Sequence, residues 1–235
     1  MSTIEQRIAD NVARVRQGIA DAAARSGRRA DEVALIAVSK YVGAAEIDAL
    51  LAAGCRDFGE NRPQDLWRKA EEFHGRPIRW HMIGHLQRNK VRRTLPLVTL
   101  LHAGDSWRLL EAASQHLQQS GQVLEVLIEV NVSGDAAKTG LGPEEVEPLL
   151  PRIADLPQLR VRGLMAMARW GGTLDDARGD FVRLRELRDR LAASCPPQVA
   201  LRELSMGMSG DFEVAIEEGA TLVRVGSALF EGVDR

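Results

Sequence analysis

Lys40 is the residue whose type and position most directly suggest chemistry. It ends a short, mostly aliphatic run, Leu35-Ile36-Ala37-Val38-Ser39-Lys40, and such a run is typical of a buried strand in a parallel sheet. Ligands bind at the carboxyl edge of these sheets. A lysine at that edge either marks where the strand enters water or supplies the nucleophilic amine of a Schiff base.

Two loops near the carboxyl terminus carry a second chemical signal. Ser205-Met206-Gly207 follows the seventh predicted strand, and Arg224-Val225-Gly226-Ser227 closes the eighth. Each loop combines a hydroxyl with a glycine, which lets backbone N–H groups approach an anion, and each precedes the positive end of a helix. If the chain is a TIM barrel, these are the loops that commonly bind phosphate. Either loop alone is usually just a helix cap, whereas the two together make a phosphate site and a pair of caps about equally good explanations.

An amine at one side of a sheet edge and a phosphate site at the other suggest pyridoxal 5′-phosphate (PLP). This cofactor also needs a partner for its ring nitrogen, and Arg224, in the apolar strand Leu222–Val225, is placed to be that partner. A guanidinium has no acceptor and stays protonated, so it can only donate to a neutral ring nitrogen. Such a ring draws electrons weakly, and carbanion chemistry on it is correspondingly limited.

Eight predicted strands alternate with helical segments and would position these residues. The first helix, residues 3–26, precedes them with Ser2 as its predicted N-cap. Regular alternation favours parallel pairing, in either a TIM barrel or a doubly wound open sheet. No linker-like composition interrupts it, so residues 1–235 are predicted to form a single α/β domain. The strands are predicted at residues 35–40, 55–58, 78–83, 97–101, 123–130, 160–164, 201–204 and 221–225.

Composition and charge exclude several classes of protein. With 31 basic and 33 acidic residues the formal net charge is −2, so no bulk field recruits nucleic acid or membrane. No apolar run approaches the ~20 residues that span a bilayer, and the amino terminus does not have the pattern of a signal peptide. Cys55 and Cys195 fit no metal-type spacing and are expected to be reduced thiols in a cytoplasmic protein. The basic segment Arg88–Arg93 is interpreted as a solvated helix face, with a secondary anion site or docking surface as the alternative.

Several strings resemble the pyridoxal phosphate homeostasis proteins, a family similar to the barrel domain of alanine racemase. The resemblance runs in order from about residue 33 to residue 232. Two strings are highly specific: Trp80-His81-Met82-Ile83-Gly84-His85-Leu86-Gln87-Arg88-Asn89-Lys90 and Ser205-Met206-Gly207-Met208-Ser209. The others are Ala37–Lys40, Phe58–Asn61 with Gln64, Val130–Ser133 with Lys138 and Gly140, Arg162–Met165 and Val223–Gly226.

The resemblance implies a TIM (β/α)8 barrel of the PLP fold-type III kind, with an extra N-terminal helix. Lys40 would carry PLP as a Schiff base, and Arg224 would face the ring nitrogen. The serine and glycine positions of the last two loops would hold the phosphate, helped by the amide of Met206, and Asn61 would belong to the pocket. The implied cofactor-binding residues are therefore Lys40, Asn61, Ser205, Met206, Arg224, Gly226 and Ser227.

The resemblance also implies a function without catalysis. The protein would act in intracellular PLP homeostasis as a carrier or regulator, a monomer or weak homodimer that holds PLP and passes it to apo-enzymes. The alternative is a PLP-dependent amino-acid racemase, which needs a second proton-transfer group on the opposite face of the cofactor. Tyr41, the only tyrosine, should point away from Lys40 because side chains alternate in an extended segment. His81 is interpreted as a pocket wall. A class I aldolase-type barrel would share the lysine and phosphate loops but lacks an evident carboxylate at a strand end.

Overall fold

Eight parallel strands, β1 to β8, form a closed barrel in sequence order, and β8 pairs with β1 to complete it. This computed structural model describes residues 3–135, 139–193 and 195–233. Closure of the sheet identifies the fold as the TIM barrel and not the doubly wound alternative. The strands are β1 Ala34–Val38, β2 Asp57–Glu60, β3 Arg79–Met82, β4 Leu100–Gly104, β5 Leu124–Glu129, β6 Leu159–Met165, β7 Val199–Ser205 and β8 Leu222–Val225.

Helices cover the outside of the barrel, as the alternation of the sequence predicts. No helix within the described ranges is long and apolar enough to cross a membrane. The α-helices are α1 Ile4–Arg25, α2 Ala44–Ala52, α3 Pro63–Glu72, α4 Val91–Thr94, α5 Trp107–Ser120, α6 Pro143–Arg152, α7 Leu174–Ala192 and α8 Phe212–Glu217. Short 3-10 segments lie at Ala30–Glu32, Arg88–Lys90, Leu95–Leu97, Ile153–Asp155 and Ser227–Phe230.

Most strand boundaries differ from the sequence prediction by one to three residues, and two of the differences have evident local reasons. The strand expected at residues 97–101 begins at Leu100, because Pro96 lies in the 3-10 turn Leu95–Leu97 and has no N–H for a sheet bond. The basic segment forms a 3-10 turn followed by the single-turn helix α4. Its arginines are exposed, and the guanidinium of Arg93 lies 4.3 Å from the centroid of the Trp67 ring, which agrees with a solvated helix face.

Helix α1 packs against the segment that follows β8. Its apolar face packs against α2, α8 and the 3-10 segment Ser227–Phe230. The Asn11 amide donates to the carbonyl oxygens of Leu229 at 3.1 Å and Glu231 at 3.0 Å, so α1 braces the turn that follows β8. The N-cap is Thr3, whose hydroxyl accepts from the amide of Gln6, and the predicted cap Ser2 lies outside the described residues.

The interior of the barrel is half apolar and half polar. Alternate residues along each strand point inward, and apolar branched side chains usually fill this space in TIM barrels. Here a small apolar cluster, separate from the main core, is formed by Ile36, Leu100, Leu127, Met165 and Leu222. Other strand positions carry buried polar groups, among them His81, His102, Glu129, Ser205 and Arg224.

Asp57 anchors the amino-terminal face of the barrel. Its carboxylate accepts a hydrogen bond from Arg79 Nε at 2.6 Å and lies 3.0 Å from Nε2 of His81. Burial raises the pKa of Asp57, but the hydrogen bonds from His81 and Arg79 outweigh that effect and lower it to about 2. The ionised carboxylate therefore helps hold β2 to β3.

We expect Asp57→Asn to lower the free energy of unfolding at pH 7 by about 2 kcal/mol, which is the shift of its pKa expressed as energy. Because the pKa in the folded state is depressed, this stability is present above pH ~4 and disappears as the pH falls toward 2. Urea unfolding at pH 7, 5 and 3 measures it, and the difference between the two proteins should be the same at pH 7 and pH 5 and clearly smaller at pH 3. Asp48→Asn, which breaks an exposed pair with Arg76, is the control and should change little. An equal loss at all three pH values would contradict the prediction.

Candidate functional site

A cavity of about 490 Å³ opens at the carboxyl ends of β1 and β8. Five of the seven residues predicted from sequence line it, namely Lys40, Asn61, Arg224, Gly226 and Ser227. Its apolar wall comes from several loops and includes Val38, Val42, Ile83, Met167, Met208 and Phe230. The structure therefore brings the predicted lysine, arginine and glycine–serine pair to one cavity.

Lys40 lies in a turn beyond β1 and not on the strand itself. Strand β1 ends at Val38, and the amide of Val42 donates to the carbonyl of Ser39 at 3.2 Å. Tyr41 lines the same cavity, and Nζ of Lys40 is 5.1 Å from the centroid of its ring. The prediction that Tyr41 points away from Lys40 is wrong, because side chains alternate only in extended backbone and this segment turns.

A buried ion pair between Lys69 and Glu60 holds the backbone next to Lys40 in place. Nζ of Lys69 donates to Glu60 Oε1 at 2.7 Å and to the carbonyl oxygen of Ser39, and the Ser39 hydroxyl donates to the same Glu60 oxygen at 2.6 Å. The side chains of Lys69 and Glu60 are 1% and 0% exposed. The backbone that carries Lys40 is thus tied to β2 and α3. Sequence reasoning missed Lys69, although its spacing of three from Leu66 puts it on the inward face of α3.

Asn61 reaches the cavity because a glycine leaves room for it. A Cβ on Gly84 would lie 2.4 Å from both the carbonyl and side-chain oxygens of Asn61, closer than any real Cβ contact. Arg62 is the N-cap of α3 and Pro63 its first residue, so Asn61 precedes the cap on an exposed turn. This close approach accounts for the glycine within the Trp80–Lys90 string.

The loops after β7 and β8 meet at Ser209. Its hydroxyl oxygen accepts hydrogen bonds from the backbone N–H groups of Gly226 at 3.1 Å and Ala228 at 3.3 Å. Two N–H groups therefore converge on one point at the edge of the cavity. Gly207 makes this turn possible with a φ of +92°, and a Cβ there would lie 2.6 Å from that of Ala215.

Ser205 and Met206 do not reach the cavity. Ser205 is fully buried, and its hydroxyl is bonded to Arg224 and His102. The amide of Met206 donates to the carbonyl oxygen of Leu222 at 3.1 Å, so it is occupied by sheet bonding. Neither residue lines the cavity, whereas Ser209, four residues beyond Ser205 in the same string, does; that Ser205 and Met206 hold a phosphate stays a prediction.

Arg224 is the buried basic residue of the cavity. It is 4% exposed, and its guanidinium donates from Nη1 to Ser205 Oγ at 2.6 Å and from Nη2 to the carbonyl oxygen of Ala166 at 2.9 Å. Burial lowers the pKa of Arg224 to about 10, while the carboxylates of Asp211 and Glu129 act in the opposite direction. The side chain therefore stays cationic at neutral pH.

Two sequence expectations about acid–base groups are corrected. His81 is not a wall of the cavity, because it lies inside the barrel between His102 and Asp57. Carboxylates do end strands, since Glu60 ends β2 and Glu129 ends β5. Neither of them lines the cavity. Burial raises the pKa of Glu129, and a hydrogen bond from Thr139 opposes this.

The donor set of the cavity fits PLP. Lys40 offers an amine for an aldehyde, and Arg224 offers a guanidinium for a ring nitrogen. The N–H groups beside Ser209, with the Ser227 hydroxyl, offer donors for a phosphate ester. These are the three kinds of group that the cofactor needs from a protein.

Comparison with known proteins places the chain in a family. Residues 6–233 match the model of the alanine racemase N-terminal domain. The chain is 40% identical to the pyridoxal phosphate homeostasis protein of Aquifex aeolicus, over 94% of this chain and 96% of that one. It is 41% identical to that of Pseudomonas aeruginosa, over 97% and 96%. It therefore belongs to the pyridoxal phosphate homeostasis protein family, which confirms the resemblance of its motifs.

A solved structure agrees with this assignment. PipY of Synechococcus elongatus, with PLP bound, superposes with a TM-score of 0.83 at 35% identity, over 95% of this chain and 99% of that one. The TIM-barrel fold implied by the motifs is confirmed by both the family model and the closed eight-stranded barrel. Lys138, one of the quoted motif residues, lies outside the described residues.

We expect Lys69→Met to lower the free energy of unfolding by about 3–5 kcal/mol, because it leaves the buried carboxylate of Glu60 without its cation. Urea unfolding measures this loss. The double substitution Glu60→Met/Lys69→Met should recover most of it, since neither charge then remains buried. Arg68→Met, which breaks the exposed pair with Glu72, is the matched control. A double variant as unstable as the single one would show that the charge of Glu60 is not the cause.

Proposed function

We propose that this protein binds PLP in the cavity at the carboxyl ends of β1 and β8, holds it as a Schiff base on Lys40, and acts in intracellular PLP homeostasis. The observation that carries the proposal is the convergence of an amine, a buried guanidinium and a pair of backbone N–H groups on one cavity. The names of the relatives and the PLP in the PipY structure support it.

Each residue of the cavity has a distinct role in this proposal. The Lys40 amine condenses with the cofactor aldehyde with loss of water, and Arg224 donates to the ring nitrogen. The phosphate binds beside Ser209 and Ser227, where it accepts from the N–H groups of Gly226 and Ala228 in place of the Ser209 hydroxyl oxygen, and Asn61 borders the ring. When bound, the cofactor supplies a reactive aldehyde, which the protein keeps from indiscriminate reaction with other amines.

The geometry favours a carrier over an enzyme. Arg224 stays cationic and only donates, so the ring nitrogen does not become the strong electron sink that racemisation exploits. Lys40 is exposed at the mouth, an arrangement that leaves the amine open to water and to an acceptor protein. We propose that apo-enzymes requiring PLP are those acceptors.

Tyr41 is the observation that favours the second candidate, a racemase. It lines the cavity and is 67% exposed, so its hydroxyl is available for proton transfer. A two-base racemase needs its two groups on opposite faces of the cofactor. The Tyr41 ring instead lies against the Lys40 amine, on the lysine's own side, which makes it a poor second base.

We expect the purified protein mixed with PLP to absorb near ~420 nm, as a lysine Schiff base of this cofactor does. Lys40→Ala should lose the band while unfolding at the same urea concentration, because the exposed side chain makes few packing contacts. Lys90→Ala, outside the cavity, is the control and should keep the band. Borohydride reduction followed by peptide mapping identifies the lysine, and a pyridoxyl group found elsewhere would rule out Lys40.

We expect the loaded protein to leave amino-acid substrates unchanged. Proton NMR in deuterated water, run across the common amino acids, should show Cα exchange no faster than with free PLP. Tyr41→Phe sharpens the test, because it removes the hydroxyl of the second candidate base and should have no effect. Exchange well above that of free PLP, lost in both Lys40→Ala and Tyr41→Phe, would establish the racemase instead.

A further inference from the structure

A chain of four hydrogen bonds crosses the inside of the barrel from the cavity toward its amino-terminal face. Arg224 Nη1 donates to Ser205 Oγ at 2.6 Å, and Ser205 Oγ lies 2.8 Å from Nδ1 of His102. Nε2 of His102 lies 2.9 Å from Nδ1 of His81, and Nε2 of His81 lies 3.0 Å from Asp57 Oδ1. The five residues come from β8, β7, β4, β3 and β2. Of these five residues, only Arg224 lines the cavity.

With both imidazoles neutral, the two ends fix the direction of every bond between them. A guanidinium only donates and an ionised carboxylate only accepts. Ser205 therefore accepts from Arg224 and donates to His102, and each histidine accepts at Nδ1 and donates from Nε2. Burial holds the pKa of His102 well below its usual value, and the nearby His81 and Arg224 act in the same direction. A neutral imidazole of one tautomer is what this arrangement requires.

Arg224 depends on this chain for its orientation. Asp211 and Glu129 act on the guanidinium through space, and within the described ranges no carboxylate forms a direct ion pair with it. Its hydrogen bonds go to a backbone carbonyl, that of Ala166, and to the Ser205 hydroxyl. A hydroxyl can rotate, so it serves as a fixed acceptor only when its proton is committed elsewhere, and here that proton is committed to His102.

We propose that Ser205 and His102 are positioning residues for PLP, which hold the Arg224 guanidinium in place for the cofactor's ring nitrogen without touching the cofactor. The inference rests on the proposed function of the cavity. It assigns to Ser205 a role different from phosphate binding, since its hydroxyl is already engaged on both sides. His81 and Asp57 complete the chain and fix the tautomer of His102.

The test compares PLP with its 1-deaza analogue, in which a C–H group replaces the ring nitrogen. We expect Ser205→Ala to weaken PLP binding by about tenfold, the order of one hydrogen bond to a charged group. Binding of the analogue, measured by the same titration, should stay within about twofold, since it has no nitrogen for Arg224 to engage. His102→Phe, which keeps a ring of similar shape, should act in the same direction.

A buried serine elsewhere provides the matched control. Ser114 is 4% exposed and donates one hydrogen bond to Gln158, so Ser114→Ala should leave both affinities unchanged. Urea unfolding without ligand confirms that each variant is folded. Equal weakening of both ligands, or weakening of neither, would overturn the positioning role. Failure of the unaltered protein to form a Schiff base with PLP would instead overturn the proposed function itself.

Discussion

The pairing of β8 with β1 is the contact on which the site depends. In this register Ile36 lies beside Arg224 and Ala37 beside Val225. The turn that carries Lys40 and the turn that carries Gly226 therefore emerge side by side, although the two residues are far apart in sequence. In an open doubly wound sheet these strands need not be neighbours, and the amine would lose the Gly226–Ser227 turn that lines the cavity with it. Barrel closure is thus what joins the first and last thirds of the chain into one cavity.

Burial of charge is the second constraint on this molecule, and the two buried cations are handled differently. Lys69 is neutralised directly by Glu60, so its role is to hold a turn in place. Arg224 is held by neutral acceptors and lines the cavity. A buried cation without a direct counter-charge costs stability. Because no carboxylate pairs with it directly, the guanidinium stays available to a ligand in the cavity.

The sequence was sufficient to predict the strands and helices and the lysine and arginine that line the cavity. The apolar runs located all eight strands, and a lysine and an arginine at the ends of two of them were visible as outliers in apolar surroundings. The choice of a closed barrel required the family resemblance, because the period of alternation is the same in both α/β architectures.

The remaining details depend on single turns that pattern reasoning does not resolve. Tyr41 faces the cavity because the backbone leaves the extended conformation after Val38. Beyond that point side chains no longer alternate between the two faces of the strand, so the prediction from alternation fails. Ser209 rather than Ser205 meets the N–H groups, because Gly207 turns the chain between two serines that look equivalent in the string. Lys69 escaped notice because its partner Glu60 lies on a different element, and a lysine on a helix is ordinarily solvated.

The bond from Asn11 to Leu229 also sets the order in which the protein can be completed. Its two residues are 218 positions apart, and translation at roughly 5–20 residues per second separates their synthesis by about 10–40 s. Throughout that interval the apolar face of α1, with Ile8, Val12, Val15 and Ile19, has no C-terminal partner to pack against. The turn that α1 braces is made only after that interval. A newly synthesised molecule therefore completes this side of the cavity only after both α1 and the turn beyond β8 have been made, and until then part of the apolar face of α1 lacks its native contacts.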